Sequence, residues 1–445
     1  MGKTIVVIER WYILSIFSIM TMFQCAVWNT WGPVEPVALV AFPSWTDSTI
    51  GFFANWGNIG MYIGFLPFMI LLQRSLRYSV LISGLLVAIG ASIKCIGWFH
   101  MKENIFTIIC HIAAFLNSLA GIVLCSAPPL LSAVWFPPEE RVTATCIGQT
   151  LNGLGGGVSY FIANIFVSQN IDNQTDISDK QVEYRKELND YIWVLAGPTI
   201  ALLFFTLLHF PSKPSTPPSL SSQDERLAML PGLVLMIKNK SFLLLLLAYS
   251  ISQGVSGMYG AIMAANLKTF RVNGQYLSET YIGTLGVTTS VVSTFGGLIA
   301  ARLTDKIQGH MKVSILGLLV IATLIYTILS LLFLKVFELP SFLSLEVSIF
   351  ALLVLGNGFC QSSCPLFTEL CAEICFPASE LLVGGAIFLG FGTVSFIFLS
   401  VFSIPGIGIY WLNFVLPASS FLPVLLVLLV KGSYPRLQID LNGKI

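Results

Sequence analysis

Twelve apolar stretches, each near the ~20 residues a helix needs to cross a bilayer, follow one another along the chain and leave few folds open to it. They run at 11–34, 48–72, 78–99, 105–132, 142–168, 190–210, 241–266, 278–301, 312–336, 345–368, 381–403 and 409–431. Each satisfies its own backbone hydrogen bonds as a helix, which hydrocarbon demands. The chain therefore reads as an all-α membrane protein whose first partner is the lipid bilayer.

Charge orients it. Of 23 basic residues, fifteen fall in connections on the side of the N-terminus, seven on the other, and Lys94 inside a span. The positive-inside rule then puts both termini in the cytoplasm. Asn173-Gln174-Thr175, a glycosylation sequon, falls in the loop between spans five and six on the expected outer side, so Asn173 is the expected glycan site. Asn239-Lys240-Ser241 lies on the inner side and should be silent. With 55% hydrophobic and 10% charged residues and a net charge of +1, the chain lacks both a nucleic-acid-binding surface and a soluble domain of any size. The run from Trp11 is too long for a cleaved signal and reads as a signal anchor. Nine cysteines in or beside spans argue against a disulfide framework.

Residues 211–226, PSKPSTPPSLSSQDER, form a Pro/Ser-rich linker, and 227–240 behind it reads as a short amphipathic segment on the membrane. The expected organisation is a six-helix half at 1–210, a cytoplasmic linker at 211–240 and a second six-helix half at 241–445. This layout resembles the major facilitator superfamily, whose halves repeat around a central solute path. The loop after span eight, Ala301 to Gly309 followed by Lys312, resembles that superfamily's cytoplasmic signature. Its Asp305, with Arg302 and Lys306, suits a latch in which the carboxylate meets a basic residue or a helix amino end in one state only. After span two Arg74, Ser75 and Arg77 remain, but Leu72 stands where the acid is expected.

Longer strings are more specific: Trp28-Asn29-Thr30-Trp31-Gly32-Pro33, Trp135 to Arg141 with Ala144-Thr145, Asn152-Gly153-Leu154-Gly155, and Pro365 to Glu369 continuing through Glu373 and Phe376-Pro377 to Glu380. Together they resemble the solute-carrier family that contains the feline leukaemia virus subgroup C receptors, and Ser433-Tyr434-Pro435-Arg436-Leu437 resembles its lysosomal branch. The resemblance implies facilitated or proton-coupled transport of a small organic solute, pyridoxine-like in the lysosomal branch and choline, ethanolamine or haem in the receptor branch. The receptor branch carries glutamine where this chain has Gly153, and the lysosomal branch an amide where it has Glu35.

Candidate solute-binding residues are the polar and aromatic ones within spans, since lipid-facing positions hold them only at a cost. Trp28 and Trp31, three apart, would share a helical face with Asn29 beside it, as a binding site or an interfacial aromatic belt; the resemblance favours the site. Gln253 and Tyr259 are their counterparts on span seven. Gln149 and Asn152 in span five, and Asn357 and Gln361 in span ten, each share a face and either bind solute or join helices. Glu35, between Pro33 and Pro36, is the candidate proton carrier, with a solvated outer-loop acid as the alternative; Lys94 is a snorkelling residue or the partner of Glu35.

Glu369 and Glu373, with Glu380 beyond, are expected to pair with Arg302, Lys306 or Arg141 as gate ion pairs. No histidine or nucleophile completes an acid–base set beside them, so no enzyme activity is expected. Cys360, Cys364, Cys371 and Cys375 form a stripe that could suggest haem, but the four histidines are scattered and buried thiols are the expected reading, with no metal or other cofactor. Tyr434 and Leu437 fit a Tyr-x-x-apolar sorting peptide read by clathrin adaptors, which places the protein in endosomal or lysosomal membranes, with the plasma membrane as the alternative. A monomer is expected, and a transport-inactive receptor or scaffold is the alternative of another class.

Overall fold

The computed structural model describes residues 2–95, 102–168, 177–222, 224–267, 271–272, 275–277, 279–336, 344–402, 404, 408 and 410–442. Its helices are α1 (Gly2–Trp28), α2 (Glu35–Ala41), α3 (Asp47–Arg74), α4 (Leu76–Ser92), α5 (Glu103–Ser126), α6 (Pro128–Trp135), α7 (Arg141–Phe166) and α8 (Ile177–Leu208). There follow α9 (Met229–Lys238), α10 (Lys240–Leu267), α11 (Glu279–Lys306), α12 (Met311–Phe333), α13 (Leu345–Ser362), α14 (Cys364–Cys375), α15 (Glu380–Phe402), α16 (Leu412–Leu429) and α17 (Pro435–Asn442). A two-residue ribbon pairs β1 (Arg271–Val272) with β2 (Gln275–Tyr276).

Among the described residues, 11 helical stretches are long and apolar enough to span a membrane. The remaining expected span is α7, helical over 26 residues. Its amides, hydroxyls and glycines dilute the hydropathy without breaking the helix: Gln149 and Asn152 bond other helices, while Thr150 and Ser159 donate to carbonyls of α7 itself.

The fourth and tenth spans, equivalent in the two sequence repeats, are both interrupted by proline. α5 stops at Ser126 before Pro128-Pro129, and α13 stops at Ser362 before Pro365. Proline offers no N–H and its ring clashes with the preceding turn. Each short continuation carries polar residues that a lipid-facing helix would not tolerate: Ser132 on α6, and Glu369 and Glu373 on α14.

The chain forms two compact units, one of residues 1–127 and 151–215, the other of 128–150 and 216–445. In the first, α3 and α4 both pack on α5, and α8 packs on α4 and α1. Glycine permits the closest approaches. A methyl group on Gly155 would stand 2.1 Å from the Met22 carbonyl oxygen, and one on Gly60 would stand 1.8 Å from the Ser118 hydroxyl. In the second, α10 packs on α15 and α16, α12 on α13 and α16, and α11 on α13. The segment between spans four and five belongs to this second unit, a grouping the repeat in the sequence does not convey.

The expected amphipathic segment is α9. Gly232 and Met236 face inward, while Leu230, at 74% exposure, Leu233, Val234 and Ile237 remain uncovered. That apolar face suits lipid at the bilayer surface.

Candidate functional site

The densest polar constellation lies in the second unit, where α6, α7, α11, α14, the linker and α17 converge. Pro435 opens α17 with its φ already fixed for a helix. Arg436, one residue on, is 1% exposed and divides its guanidinium among Glu369 at 2.7 Å, Glu373 at 2.9 Å and Glu380 at 3.3 Å. Burial alone would lower the pKa of Arg436; the carboxylates of Glu373, Glu369 and Glu380 outweigh it and hold the group above the ordinary arginine range.

Every carboxylate has further partners. Glu369 also accepts from the Ser132 and Thr145 hydroxyls, Glu373 accepts from the Leu437 N–H at 3.2 Å, and Glu380 makes a second ion pair with Arg226 at 2.8 Å. Four residues after Arg436, on the same face of α17, Asp440 takes Arg141 at 3.0 Å and accepts from the Ser221 N–H and hydroxyl, each at 2.8 Å. Arg141 also donates to Ser219 at 2.6 Å and Ser221 at 3.1 Å. Asp305 caps the amino end of α7, accepting from the Val142 and Thr143 N–H groups at 3.1 and 2.9 Å and from the Thr143 hydroxyl at 2.6 Å. Four of these five buried acids are thus met by three arginines, and Asp305 by the amino end of α7.

Four expectations change here. Glu369 and Glu373 pair with Arg436 rather than with Arg302, Lys306 or Arg141. Arg302 and Lys306 are exposed and form no ion pair among the described residues. Arg141 does serve the network, through Asp440. Tyr434 and Leu437 are not an extended peptide: Leu437 is buried in α17 and donates to Glu373, and the Tyr434 hydroxyl accepts from the Lys312 N–H at 3.3 Å. Burial raises the Tyr434 pKa first, and the nearby Glu373 carboxylate adds to it. An adaptor that needs both side chains free in an extended segment finds neither.

A second group of the same unit follows the seam of α10 and α13. Gln253, buried, donates through Nε2 to the Cys360 carbonyl at 3.1 Å and the Ser363 hydroxyl at 3.2 Å, beside the proline break; its Oε1 accepts no hydrogen bond from the described residues. Asn357 meets the Ser256 carbonyl at 3.4 Å and the Ser293 hydroxyl at 3.2 Å, and Gln361 meets the Ser256 hydroxyl at 3.2 Å. Gln149 bonds Thr368 at 3.0 Å. Asn357, Gln361 and Gln149 are only half-buried. Tyr259 is fully enclosed, its hydroxyl accepting from Asn266 at 2.8 Å, and does not join this group.

In the first unit, α1 ends at Trp28, so Trp28 and Trp31 do not share a helical face; Asn29 to Gly32 turn the chain before Pro33. Trp28 stays 39% exposed over Gly57, with its Nε1 bonded to the Ala54 carbonyl at 3.1 Å. Trp31, at 5%, is packed edge-on against Trp45 at 4.9 Å, with Phe53 and Phe106 around it. Asn29 bonds Ser159 at 2.9 Å, and Asn152 bonds the Thr21 carbonyl at 2.9 Å and Gln24 at 3.3 Å. Glu35, half-buried at the start of α2, lies within electrostatic reach of Tyr160 on α7. Lys94 does not snorkel: it is 4% exposed and donates to the Thr30 hydroxyl at 2.8 Å, because the 3-10 turn Ile93–Cys95 points it inward. Asn173 lies outside the described residues.

All nine cysteines are free thiols, and among the described residues no three His, Cys, Asp or Glu side chains gather as a metal site. Arg436, Asp440, Ser219 and Ser221 were not among the expected site residues, although Arg436 stands in the string Ser433 to Leu437 that carries the resemblance. The available signal was Pro435 as a helix start followed by a basic and an acidic residue four apart.

The family model of the Major Facilitator Superfamily matches residues 13–380. A solute carrier family 49 member 4 homolog of Xenopus laevis is 30% identical over 97% of this chain and 93% of its own length. The choline/ethanolamine transporter flvcr2a of Danio rerio is 23% identical over 84% of this chain and 75% of its own. The solved fucose:proton symporter of E. coli superposes with a TM-score of 0.71 at 14% identity, covering 96% of this chain and all of that one. These relatives are transporters, not enzymes.

Proposed function

We propose, for a chain that belongs to the major facilitator superfamily and within it to solute carrier family 49, that it carries a pyridoxine-like vitamin across endosomal or lysosomal membranes by alternating access. The observation that carries this reading is the set of half-buried amides Gln149, Asn357 and Gln361 beside the open acceptor of Gln253. A half-buried amide in an apolar helix is cheap only beside water or a polar ligand, and a hydroxylated pyridine offers donors and acceptors to several amides at once. Within the first unit by itself, Trp28 is exposed enough to stack on a planar ring, and Asn29 and Asn152 are polar candidates for solute contact. Glu35, half-buried at the start of α2, is the residue this reading assigns to the coupling proton.

Choline or ethanolamine is the second reading. Relatives 21–23% identical carry those names, and the open face of Trp28 suits a quaternary ammonium.

Counterflow of labelled pyridoxine and labelled choline in proteoliposomes separates the two. Saturable pyridoxine exchange, raised in KM by Gln361→Ala and flattened in its pH dependence by Glu35→Gln, is the expected result. Choline exchange without pyridoxine exchange favours the second reading, and exchange of neither solute sinks both.

A further inference from the structure

We propose that Ser219 is a phosphorylation site whose modification unlatches α17. Its hydroxyl is half-buried in a stretch without helix or strand, and Thr216, Pro217, Leu220, Asp224 and Glu225 around it are exposed. A kinase that grips an extended peptide therefore finds chain on both sides, on the face that the charge pattern assigns to the cytoplasm. Ser221, fully buried, is closed to such an enzyme, and Ser222 donates to the Ser219 carbonyl instead.

One guanidinium serves both Ser219 and the tail. Arg141 Nη2 donates to Ser219 Oγ at 2.6 Å while Nη1 pairs with Asp440 at 3.0 Å, and both charged side chains are almost completely buried. Ser221 Oγ bridges them, 3.2 Å from Ser219 Oγ and 2.8 Å from Asp440 Oδ2. In the modification, Ser219 Oγ attacks the γ-phosphorus of ATP held by a serine kinase. The P–Oγ bond forms, the bond to the ADP oxygen breaks, and the hydroxyl proton passes to the kinase's base. The product carries nearly two negative charges at neutral pH. A phosphate matches the guanidinium fork at least as well as a carboxylate does, so it takes Arg141 from Asp440 and leaves that buried acid next to a like charge. The carboxyl end of α17 must then leave its seat. This inference does not depend on which solute is carried.

The test uses full-length protein purified from eukaryotic membranes with phosphatase inhibitors. Phosphopeptide mapping is combined with hydrogen–deuterium exchange over 436–442, before and after phosphatase, in wild type, Ser219→Ala and Asp440→Asn. Phosphate on Ser219, with α17 amides exchanging at least tenfold faster in the phosphorylated wild type, supports the proposal. So do slow exchange throughout in Ser219→Ala and fast exchange in Asp440→Asn whatever its phosphate. Phosphate absent from Ser219, α17 exchange unchanged by phosphatase, release of α17 in Ser219→Ala by phosphate elsewhere, or an Asp440→Asn tail as protected as wild type would each overturn it.

Discussion

Arg436 answers three acids from three different turns of the chain, so its loss differs in kind from the loss of a surface pair. Arg436→Met leaves Glu369 and Glu373 buried without an ion pair among the described residues, and Glu380 with Arg226. Removing one partner from a buried pair costs about 3–5 kcal/mol, and thermal unfolding in detergent should show a loss of that order. Arg436→Lys should recover little, because one ammonium cannot fork to three carboxylates. A raised arginine pKa means its stabilisation is complete below the unfolded pKa and lost only as pH climbs through the folded one. Titration to about pH 10, below the arginine range, should therefore leave α17 protected from exchange. Trp31 offers a second contrast: Trp31→Ala should destabilise the fold by about 3–5 kcal/mol as a buried tryptophan, whereas Trp28→Ala should alter uptake with little change in melting. Both tryptophans were legible as notable, but their roles were not, since only the end of α1 at Trp28 tells the exposed ring from the packed one.

Among the elements, α7 shows how one run of glycines serves two purposes. A methyl at Gly155 would meet backbone atoms of α1, with the Met22 oxygen at 2.1 Å, whereas one at Gly153 meets nothing within 4 Å. Gly155→Ala should cost about 1–3 kcal/mol through overpacking, and Gly153→Ala should be neutral or stabilising by up to ~1 kcal/mol, the helix-propensity gain; paired melting curves check both. The resemblance implies a glutamine at this position in the receptor branch, and Gly153 is exposed with nothing within 4 Å of an added Cβ, so Gly153→Gln should fold normally and raise choline exchange relative to pyridoxine. A Gly153→Gln variant that melts like wild type yet leaves the ratio unchanged would remove position 153 from the specificity argument. The spans themselves were readable because twenty apolar residues admit one answer in lipid. The breaks at Pro128 and Pro365 were less so, since transmembrane helices often accommodate proline without stopping.

For the molecule as a whole, the sequence supplied the spans and most acids of the latch, including the helix-capping role of Asp305. It did not supply their partners, because Arg436 reaches Glu373 across 63 residues and Asp440 reaches Arg141 across 299, and no periodicity reports on such distances. Burial also separates this network from ordinary surface charge. Charges in exposed pairs are screened within a Debye length of ~3 Å in 1 M salt. Exchange of α17 amides should accordingly change less than twofold between low salt and about 1 M, and strong release by salt would mean that water reaches the arginines.

The order in which the chain is made gives the tail another meaning. Glu369, Glu373 and Glu380 leave the ribosome before Arg436 exists, and until it arrives the acids must stay hydrated or protonated, with their helices unable to seat fully. A nascent or truncated chain lacking that arginine has an unfinished acidic face. Docking of α17 is the step that completes the burial of these acids.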